Sequence, residues 1–387
     1  MTSVVYNKHF DQLITCSSTA VVRVWNAANG ELIFEFGGIQ SSQDGTMLHT
    51  KDSPGHNGSQ ITAALVDFTG RRLVTSARDG KICIWNPNSG ACLKTLVPQT
   101  ARKFKEVHDI VGVTINQRNK FFCAVGWDKR IRLYPDFQGG DIQDEYKQYQ
   151  HPMPFWKSDL DHGHRDDIVA VTYCPPHLLA TCDYSGNIFL WNLVSGHIFK
   201  KFLYKSAKPI KDSSVQINHC IAGFSKRHEE NEKIITEQFS RPSTRNLQTD
   251  MKKLQSAVLV VGTVDGHVSF YSTSAVNSHA SFCVTSRDNN KTAPSITKIK
   301  ISLDETRMVV GDADGYITIL DVENYALSQE KNPPRILYRW RAHVSSINDI
   351  EIVVRPDTGA QLFHGLFQVY VKICMNYFFA ATTDRRR

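Results

Sequence analysis

The sequence predicts an all-β fold assembled from repeated four-stranded antiparallel sheets, and three observations support this fold class. First, the stretch ARDGKICIWN (77–86), a polar turn followed by an alternating apolar strand that ends at Trp85, recurs with variation along the chain. Second, an apolar run precedes each copy, so each copy is the second half of a β-hairpin. Third, further alternating runs lie before and after each hairpin, which gives four strands per unit.

Six copies of this stretch align on the turn and on the terminal aromatic residue or Leu. They are SSTAVVRVWN (17–26), ARDGKICIWN (77–86), GWDKRIRLYP (126–135), DYSGNIFLWN (183–192), TVDGHVSFYS (263–272) and DADGYITILD (312–321). In four of them an Asp lies six positions before the terminal residue, as Asp79 lies before Trp85. Both faces of the strand ICIW are apolar, so each sheet needs cover on both sides. The recurrence predicts stacked units rather than one continuous sheet.

The repeat resembles the WD-repeat family of β-propellers, whose four-stranded blades pack face to face around a channel. The resemblance covers residues 3–354 and includes the family's Gly-His dipeptide at Gly55-His56 and Gly163-His164, while Trp-Asn replaces Trp-Asp. It implies a seven-bladed WD-repeat β-propeller with six recognisable four-stranded blades and an incomplete seventh. The implied propeller covers 1–354, with blades at about 3–36, 61–97, 110–137, 168–202, 215–274 with an insertion at 225–256, 296–327, and the start of the seventh at 342–354.

In that family a His, a Ser or Thr, the turn Asp and the Trp form a buried hydrogen-bonded tetrad. The resemblance assigns these roles in the second unit to His56, Thr75, Asp79 and Trp85. The chemistry supports such a tetrad, because a buried indole N–H and a buried imidazole both need partners and the Asp can hold one imidazole tautomer.

Two other units depart from this tetrad. In the fourth unit His164, Thr181 and Trp191 match the pattern. Ser185, however, stands where the Asp belongs. In the first unit Thr19 stands at the Asp position and no His precedes it. We expect both blades to be less rigid than the second, because the loss of one buried polar partner costs about 1–3 kcal/mol.

Two units exceed the repeat length because they contain polar insertions. Residues 37–59 are rich in turn-forming residues, which predicts a loop. Residues 225–256 are charged and poor in aromatic residues, which is typical of a mobile excursion. This second insertion is either a solvated loop or a docking or phosphorylation segment around Ser243 and Thr244.

The C-terminal part departs from the repeat. Residues 342–354 begin a seventh unit, and YFFAATTDRR (377–386) is similar to its second strand and turn, with Asp384 at the Asp position. Residues 355–387 are therefore predicted to be irregular, as an incomplete blade. Because natural proteins avoid exposed sheet edges, we hypothesise that the sequence is part of a longer product or has an abnormal end. Alternatively, FQVYVKI (367–373) supplies a substitute edge strand.

Composition places the chain among non-secreted globular proteins. It has 387 residues, 41% hydrophobic and 21% charged, and its N-terminus lacks the layout of a signal peptide. The apolar run 365–381 contains Gln368, Lys372 and Asn376, so no membrane insertion is predicted. The nine cysteines form no CxxC pair, which favours free thiols in a reducing compartment. The net charge of +7 comes from scattered Lys and Arg, whereas phosphate binding needs a concentrated basic face, so nucleic acid is not the expected partner.

No sequence pattern indicates catalysis or a cofactor. The chain contains no GxSxG, P-loop, GxGxxG or HExxH motif. DADGYITILD fails as a calcium loop, because Val310 falls at the first ligand position when Gly315 is placed at the sixth. In DHGHRDD (161–167) the repeat already accounts for His164, so a metal site is not predicted. We therefore expect no enzyme activity, cofactor, metal or small-molecule substrate.

The residues immediately before the turn Asp form the candidate binding surface. Because His56 must reach Asp79, the loop that enters a blade and its hairpin turn should lie on the same rim. The rim side chains are then Arg78, Trp127 and Tyr184, followed by Val264 and Ala313. Arg, Trp and Tyr are the residue types that most often anchor protein interfaces. The alternative is that Trp127 packs against its own neighbouring blade.

These features predict a non-catalytic scaffold that binds other proteins. The stretches SVVYNKHFDQLITC (3–16) and WRAHVSSIND (340–349) resemble the long double-propeller WD-repeat proteins associated with motile cilia and axonemes. That resemblance implies a role in cilium or axoneme assembly and a cytoplasmic, ciliary or cytoskeletal location. The alternative function is a substrate receptor of a ubiquitin ligase, whose Arg-lined rim binds an acidic or phosphorylated segment.

Overall fold

Antiparallel strands and the turns that join them make up the described part of the protein. A computed structural model describes residues 1–38, 55–96, 110–116, 121–135, 163–174, 178–192, 196–203, 217–223, 258–272, 278–284, 293–302, 306–322, 333–353 and 370–374. The chain divides into two compact units, the first formed by Met1–Val113 with Ile347–Arg387 and the second by Thr114–Ser346.

The first unit contains two four-stranded antiparallel sheets with strand orders β1-β2-β3-β4 and β5-β6-β7-β8. Their strands are β1 (Ser3–Asn7), β2 (Gln12–Cys16), β3 (Val21–Asn26), β4 (Leu32–Gly37), β5 (Ile61–Val66), β6 (Leu73–Ala77), β7 (Ile82–Trp85) and β8 (Cys92–Leu96). The two sheets pack face to face, because Ile14 and Val24 of the first share a buried cluster with Leu73 and Trp85 of the second.

A two-stranded sheet in the same unit pairs β24 (Asp349–Val353) with β25 (Tyr370–Cys374). The Asp349 carboxylate also accepts hydrogen bonds from Ser3 Oγ and from the backbone N–H of Val4, both at 3.0 Å, so β24 is tied to β1. β25 overlaps the C-terminal half of FQVYVKI (367–373), the segment considered above as a substitute edge strand. The predicted second strand at 377–386 and Asp384 lie outside the described residues.

The second unit contains the middle sheets of the repeat, and the boundary between the units falls within β9. Their strands are β9 (Ile110–Asn116), β10 (Phe121–Gly126), β11 (Ile131–Pro135), β12 (Ile168–Cys174), β13 (Leu178–Asp183), β14 (Asn187–Asn192), β15 (Ile198–Leu203), β16 (Ile217–Gly223), β17 (Val258–Thr263), β18 (His267–Ser272), β19 (Ser278–Cys283), β20 (Ile296–Ile301), β21 (Arg307–Asp312), β22 (Tyr316–Asp321) and β23 (Arg335–Arg341). Three sheets have four strands, with orders β12-β13-β14-β15, β16-β17-β18-β19 and β20-β21-β22-β23.

The third repeat is described only in part. Of the four-stranded blade predicted at 110–137, the described residues form a three-stranded sheet, β11-β10-β9, and residues 136–162 lie outside the described part. Five of the six predicted four-stranded units thus have four strands in the part of the chain that can be described. The insertion at 225–256, with Ser243 and Thr244, lies outside the described residues, as does most of the 37–59 loop.

Apolar side chains on both sheet faces explain why these sheets stack. In the second unit one buried cluster joins the β9–β11 sheet to the β12–β15 sheet through Leu133 and Trp191. A second cluster joins the β12–β15 sheet to the β16–β19 sheet, and a third joins the latter to the β20–β23 sheet. Cover on both faces was predicted from the alternation in ICIW, and every residue of that strand is buried.

The hairpin turn of the repeat has the same backbone conformation in all six copies. We number the ten residues of each copy 1 to 10, so Asp79 is at position 3 and Trp85 at position 9. Position 4 has a positive φ in every copy, the region in which a side chain is strained. The six residues and their φ angles are Ala20 (63°), Gly80 (70°), Lys129 (65°), Gly186 (86°), Gly266 (76°) and Gly315 (82°).

We expect Ala20→Gly to raise the free energy of unfolding by up to about 1 kcal/mol, because it relieves the left-handed strain of an L side chain at the cost of a more flexible unfolded chain. Urea denaturation measures this difference. The converse control is Gly315→Ala, which adds a Cβ that collides with the His343 carbonyl oxygen and must destabilise the fold. If Ala20→Gly destabilises the protein, backbone strain at position 4 does not limit the stability of the first turn.

Candidate functional site

The loop that enters a sheet and the hairpin turn of that sheet lie at the same edge. The backbone N–H at position 2 donates to a carbonyl of the entering loop in three copies of the repeat. The pairs are Arg78 with Gln60 at 3.0 Å, Tyr184 with Asp167 at 2.8 Å and Ala313 with Ser295 at 2.8 Å. This backbone hydrogen bond fixes the position-2 residue at that edge.

In the second copy of the repeat the structure brings together the four side chains assigned to the tetrad. The Trp85 indole N–H donates to Thr75 Oγ1 at 2.8 Å, and Thr75 Oγ1 lies 2.8 Å from His56 Nε2. His56 Nδ1 lies 3.2 Å from the Asp79 carboxylate. A single direction of donation satisfies every group: the indole donates to the hydroxyl, the hydroxyl to Nε2, and Nδ1–H to the carboxylate.

The Gly-His dipeptide has a steric reason in this unit. Gly55 has a φ of 106°, and a Cβ placed there would lie 2.9 Å from the indole ring of Trp85. The glycine therefore lets the chain pass directly over the indole and delivers His56 to Thr75.

The fourth copy of the repeat forms the same network with a different acid. The expectation that Ser185 leaves this network without a carboxylate is therefore wrong. His164 Nδ1 lies 2.8 Å from the carboxylate of Asp183, at position 1. His164 Nε2 lies 2.6 Å from Thr181 Oγ1, which accepts the Trp191 indole N–H at 2.8 Å. The side chains of His164 and Asp183 are fully buried, whereas that of Asp79 is 18% exposed. We therefore no longer expect this unit to be less rigid than the second.

Asp183 also closes the hairpin turn, which explains why the acid can move from position 3 to position 1. Its carboxylate accepts the backbone N–H of Asn187 at 2.8 Å and the Asn187 side-chain amide at 3.0 Å. Asp312, at position 1 of the sixth copy, accepts the Tyr316 backbone N–H in the same way, at 2.8 Å. Asp79 at position 3 and Asp183 at position 1 thus both reach the imidazole of their own copy of the repeat.

The first copy of the repeat retains only the hydrogen bond between the tryptophan and the threonine. The Trp25 indole N–H donates to Thr15 Oγ1 at 2.9 Å, which repeats the ten-residue separation of Thr75 from Trp85. Thr19, at the Asp position, is exposed, and its hydroxyl lies 3.0 Å from Ser17 Oγ. Ser17 Oγ accepts the backbone N–H of Val21, so a serine at position 1 closes this turn instead of an acid.

Three position-2 side chains, which we call the turn-rim residues, are exposed. Arg78, in the second copy of the repeat, is exposed. Trp127, in the third copy, is 48% exposed, and Tyr184, in the fourth copy, is 42% exposed. About half of the Trp127 surface is thus accessible, while the other half is covered, so the alternative that this ring packs against a neighbouring sheet stays open. Val264 and Ala313, at the same position of two later copies, are half-buried.

The turns that carry Trp127 and Tyr184 are joined through the loop before β12. The Lys129 ammonium group donates to the Arg165 carbonyl oxygen at 3.1 Å, which links the β10–β11 turn to that loop. Ser185 donates to Asp166 at 2.5 Å, and this hydrogen bond lowers the pKa of the Asp166 carboxyl below its usual range. The loop is thus fastened to both turns, and the two aromatic side chains stand on a supported edge.

The side chains considered as metal ligands or nucleophiles are engaged in the fold or inactivated by burial. Within the described ranges, no group of three or more His, Cys, Asp or Glu side chains could hold a metal ion. In DHGHRDD, His164 belongs to the network above and Asp166 accepts the Ser185 hydroxyl. Burial raises the pKa of the Cys16 thiol to about 12, so this cysteine is not a nucleophile at neutral pH. The described strands and turns include no helix long and apolar enough to cross a membrane.

Face-to-face four-stranded sheets, with a His-Thr-Trp network beneath the turns, define a β-propeller built from WD repeats. The family model described as "WD domain, G-beta repeat" matches residues 41–86, which contain the second-unit tetrad. This match, together with the WD repeat-containing relatives below, supports a WD-repeat propeller for this chain. Propellers of this family are generally non-catalytic scaffolds that bind other proteins.

Relatives with curated descriptions match about half of the chain or less. The "WD repeat-containing protein on Y chromosome" of Drosophila willistoni is 28% identical over 200 residues, which cover 51% of this chain and 16% of that protein. The protein of the same name from Anopheles gambiae is 31% identical over 145 residues, which cover 37% of this chain and 12% of that protein. The match thus spans less than a fifth of either relative.

A solved structure resembles the chain over most of its length. The crystal structure of the computationally designed Ika8 protein aligns with 91% of this chain and 92% of its own, with a TM-score of 0.50 and 15% sequence identity. At this identity the similarity supports the fold alone.

Proposed function

We propose that the protein is a non-catalytic scaffold that binds another protein through its turn-rim residues. The observation that supports this proposal is the exposure of two large aromatic side chains, Trp127 and Tyr184, at the same turn position of two packed sheets. Aromatic side chains bury a large area at low entropic cost, and they are enriched where protein interfaces have their strongest contacts. The Asp183 carboxylate closes the turn that carries Tyr184, so this part of the surface is formed before a partner arrives.

We expect the triple variant Arg78→Ala, Trp127→Ala and Tyr184→Ala to abolish partner capture in a pull-down without lowering the melting temperature. The three side chains are exposed, so their loss removes contact area without opening the core. The matched control is Phe199→Ala, which removes a side chain that is 40% exposed on the outer strand β15. Unchanged capture by the triple variant contradicts the proposal.

For the process, we propose cilium or axoneme assembly and a cytoplasmic, ciliary or cytoskeletal location. The support is the sequence resemblance of residues 3–16 and 340–349 to ciliary double-propeller proteins. The alternative is a ubiquitin-ligase substrate receptor, which the exposed Arg78 favours because a guanidinium binds carboxylate and phosphate groups. The pull-down, repeated with ciliated and non-ciliated cells, separates these functions: axonemal proteins favour the first, and ligase subunits favour the second.

For the architecture, we propose that the sheets are the blades of one seven-bladed propeller. The support is the number of sheets: five with four strands, one with three and one with two in the described residues. The hydrogen bonds from Ser3 and Val4 to Asp349 also join the first sheet to the last within the first unit.

A further inference from the structure

The first two sheets present a second surface on the turns between their first and second strands. These turns, Lys8–Asp11 between β1 and β2 and Asp67–Arg72 between β5 and β6, lie at the edge opposite the turns of the repeat. Asn7 joins them, because its side-chain amide donates to the Gly70 carbonyl oxygen at 2.8 Å. The turns touch so closely that a Cβ on Gly70 would lie 2.9 Å from the His9 Cβ. The two turns therefore form one continuous surface within the first unit.

Each turn exposes a phenylalanine. Phe10 is 44% exposed and Phe68 is 51% exposed, although neighbouring positions in both sheets are buried. Neither ring is needed for the core, since the cluster between these sheets is formed by residues of the strands. Two exposed aromatic rings on touching turns are an uncommon feature for a surface that stays in water, and they are typical of a binding site.

The exposed charges around these rings are positive. Lys8, His9 and Arg71 are exposed. In the described part of the chain, no hydrogen bond or ion pair engages the side-chain nitrogens of Lys8 or Arg71. The surface thus combines two aromatic rings with two available cations and a histidine.

One of the two acids of the same turns is neutralised internally. Asp67 is buried, and its carboxylate accepts the Arg72 guanidinium at 3.0 Å, the Arg72 backbone N–H at 3.0 Å and the Thr69 hydroxyl at 2.9 Å. Asp11 is half-buried and keeps its charge, because the Tyr6 hydroxyl that it accepts at 2.8 Å is neutral. Lys8 and Arg71 outnumber this one carboxylate, so the net charge that a ligand meets is positive.

We infer that Lys8, Phe10, Phe68 and Arg71 form a second docking surface, for an acidic protein segment that carries an apolar side chain. The cations match Asp and Glu carboxylates, and the rings match the apolar side chain. An anionic membrane fits less well, because membrane recognition uses clusters of about 4–8 Lys and Arg. This surface is separate from the turn-rim residues, so it adds a second contact to the proposed scaffold function.

The test measures binding of short fluorescent peptides to the full-length chain by fluorescence anisotropy. The probes combine several Asp and Glu residues with one central Leu or Phe, and a matched set has Asn and Gln in place of the acids. We expect the acidic probes to bind and the neutral set to bind at least about tenfold more weakly. Equal binding of the two sets overturns the inference.

Two double variants locate the binding. Phe10→Ala with Phe68→Ala removes the rings, and Lys8→Glu with Arg71→Glu reverses the charges without touching the core. Each should weaken the acidic probe at least about tenfold. The control pair is Leu93→Ala with Arg335→Glu, two exposed residues on the outer strands β8 and β23, and it should bind as the unaltered protein does.

Three results would overturn the inference: acidic probes that do not bind, acidic probes that bind both double variants normally, or phosphatidylserine vesicles that bind in place of the peptides. The turn-rim triple variant should keep full affinity for the probe. That measurement distinguishes failure of this surface from failure of the proposed function, because the two surfaces share no residue.

Discussion

Asp183→Ala should lower the free energy of unfolding by about 3 kcal/mol, although sequence alignment places this aspartate outside the tetrad. Its fully buried carboxylate accepts hydrogen bonds from the His164 imidazole and from the backbone and side chain of Asn187. Alanine leaves these donors without an acceptor. Removing one partner from a buried polar network costs about 3 kcal/mol of the free energy of unfolding. Urea denaturation with an unchanged m value measures the loss.

The control for Asp183 is Ser185→Ala, in the same turn. Ser185 stands at the alignment position of Asp79, but it is exposed and donates to Asp166. We expect a change within about 0.5 kcal/mol, as for most surface substitutions. A larger loss from Ser185→Ala than from Asp183→Ala contradicts the account of the fourth unit.

Thr75→Val should cost about twice as much as Thr15→Val. Valine has the shape of threonine without the hydroxyl, so the two variants differ from the native chain only in hydrogen bonding. Thr75 Oγ1 serves both the Trp85 indole and His56 Nε2, whereas Thr15 Oγ1 serves the Trp25 indole. Each buried group left unpaired costs about 1–3 kcal/mol, so we expect losses of about 4 and 2 kcal/mol.

Urea denaturation of both variants in parallel gives the ratio of the two losses. The Trp85→Phe change in the Thr75→Val background serves as a check, since it removes the orphaned indole N–H and should recover part of the stability. Equal losses for Thr75→Val and Thr15→Val indicate that His56 contributes nothing to the stability of the second unit.

The sequence predicts the sheets well, because their signal is repeated along the chain. Apolar strands on both sides of a polar turn define a hairpin wherever they occur, and the buried strands β7 and β14 lie where this pattern places them. The separation of ten residues between Thr and Trp follows from antiparallel pairing across a turn of fixed length. The WD-repeat resemblance assigned Thr75 with Trp85, and equally Thr181 with Trp191, to these roles, and both pairs form the expected hydrogen bond.

The position of the acid was harder to predict, because two backbone positions can reach the same imidazole. Alignment on Asp79 directs attention to position 3, and a serine there suggests that the network is incomplete. Asp183 supplies the carboxylate from position 1, which the alignment treats as the end of the preceding strand. The sequence feature that could have located this acid is an aspartate at position 1 that is followed, four residues later, by the amide side chain of Asn187.

Surface properties depend on packing that no repeat pattern encodes. Trp127 and Val264 stand at the same position of the repeat, yet the first is exposed and the second is half-buried. Phe10 and Phe68 lie in turns far apart in sequence, and only the contact between Asn7 and Gly70 brings these turns together. Neighbouring sheets, rather than the repeat itself, determine which of these side chains can meet a partner.

Site-specific photo-crosslinking tests the central claim, that a partner binds the turn rim, most directly. A photoreactive phenylalanine analogue replaces Trp127 or Tyr184 in separate proteins, and Phe199 on the outer strand of the same sheet as Tyr184 serves as the matched position. The account predicts a crosslinked partner from positions 127 and 184 and none from position 199. Crosslinking from position 199 alone, or from none of the three while capture persists, contradicts it.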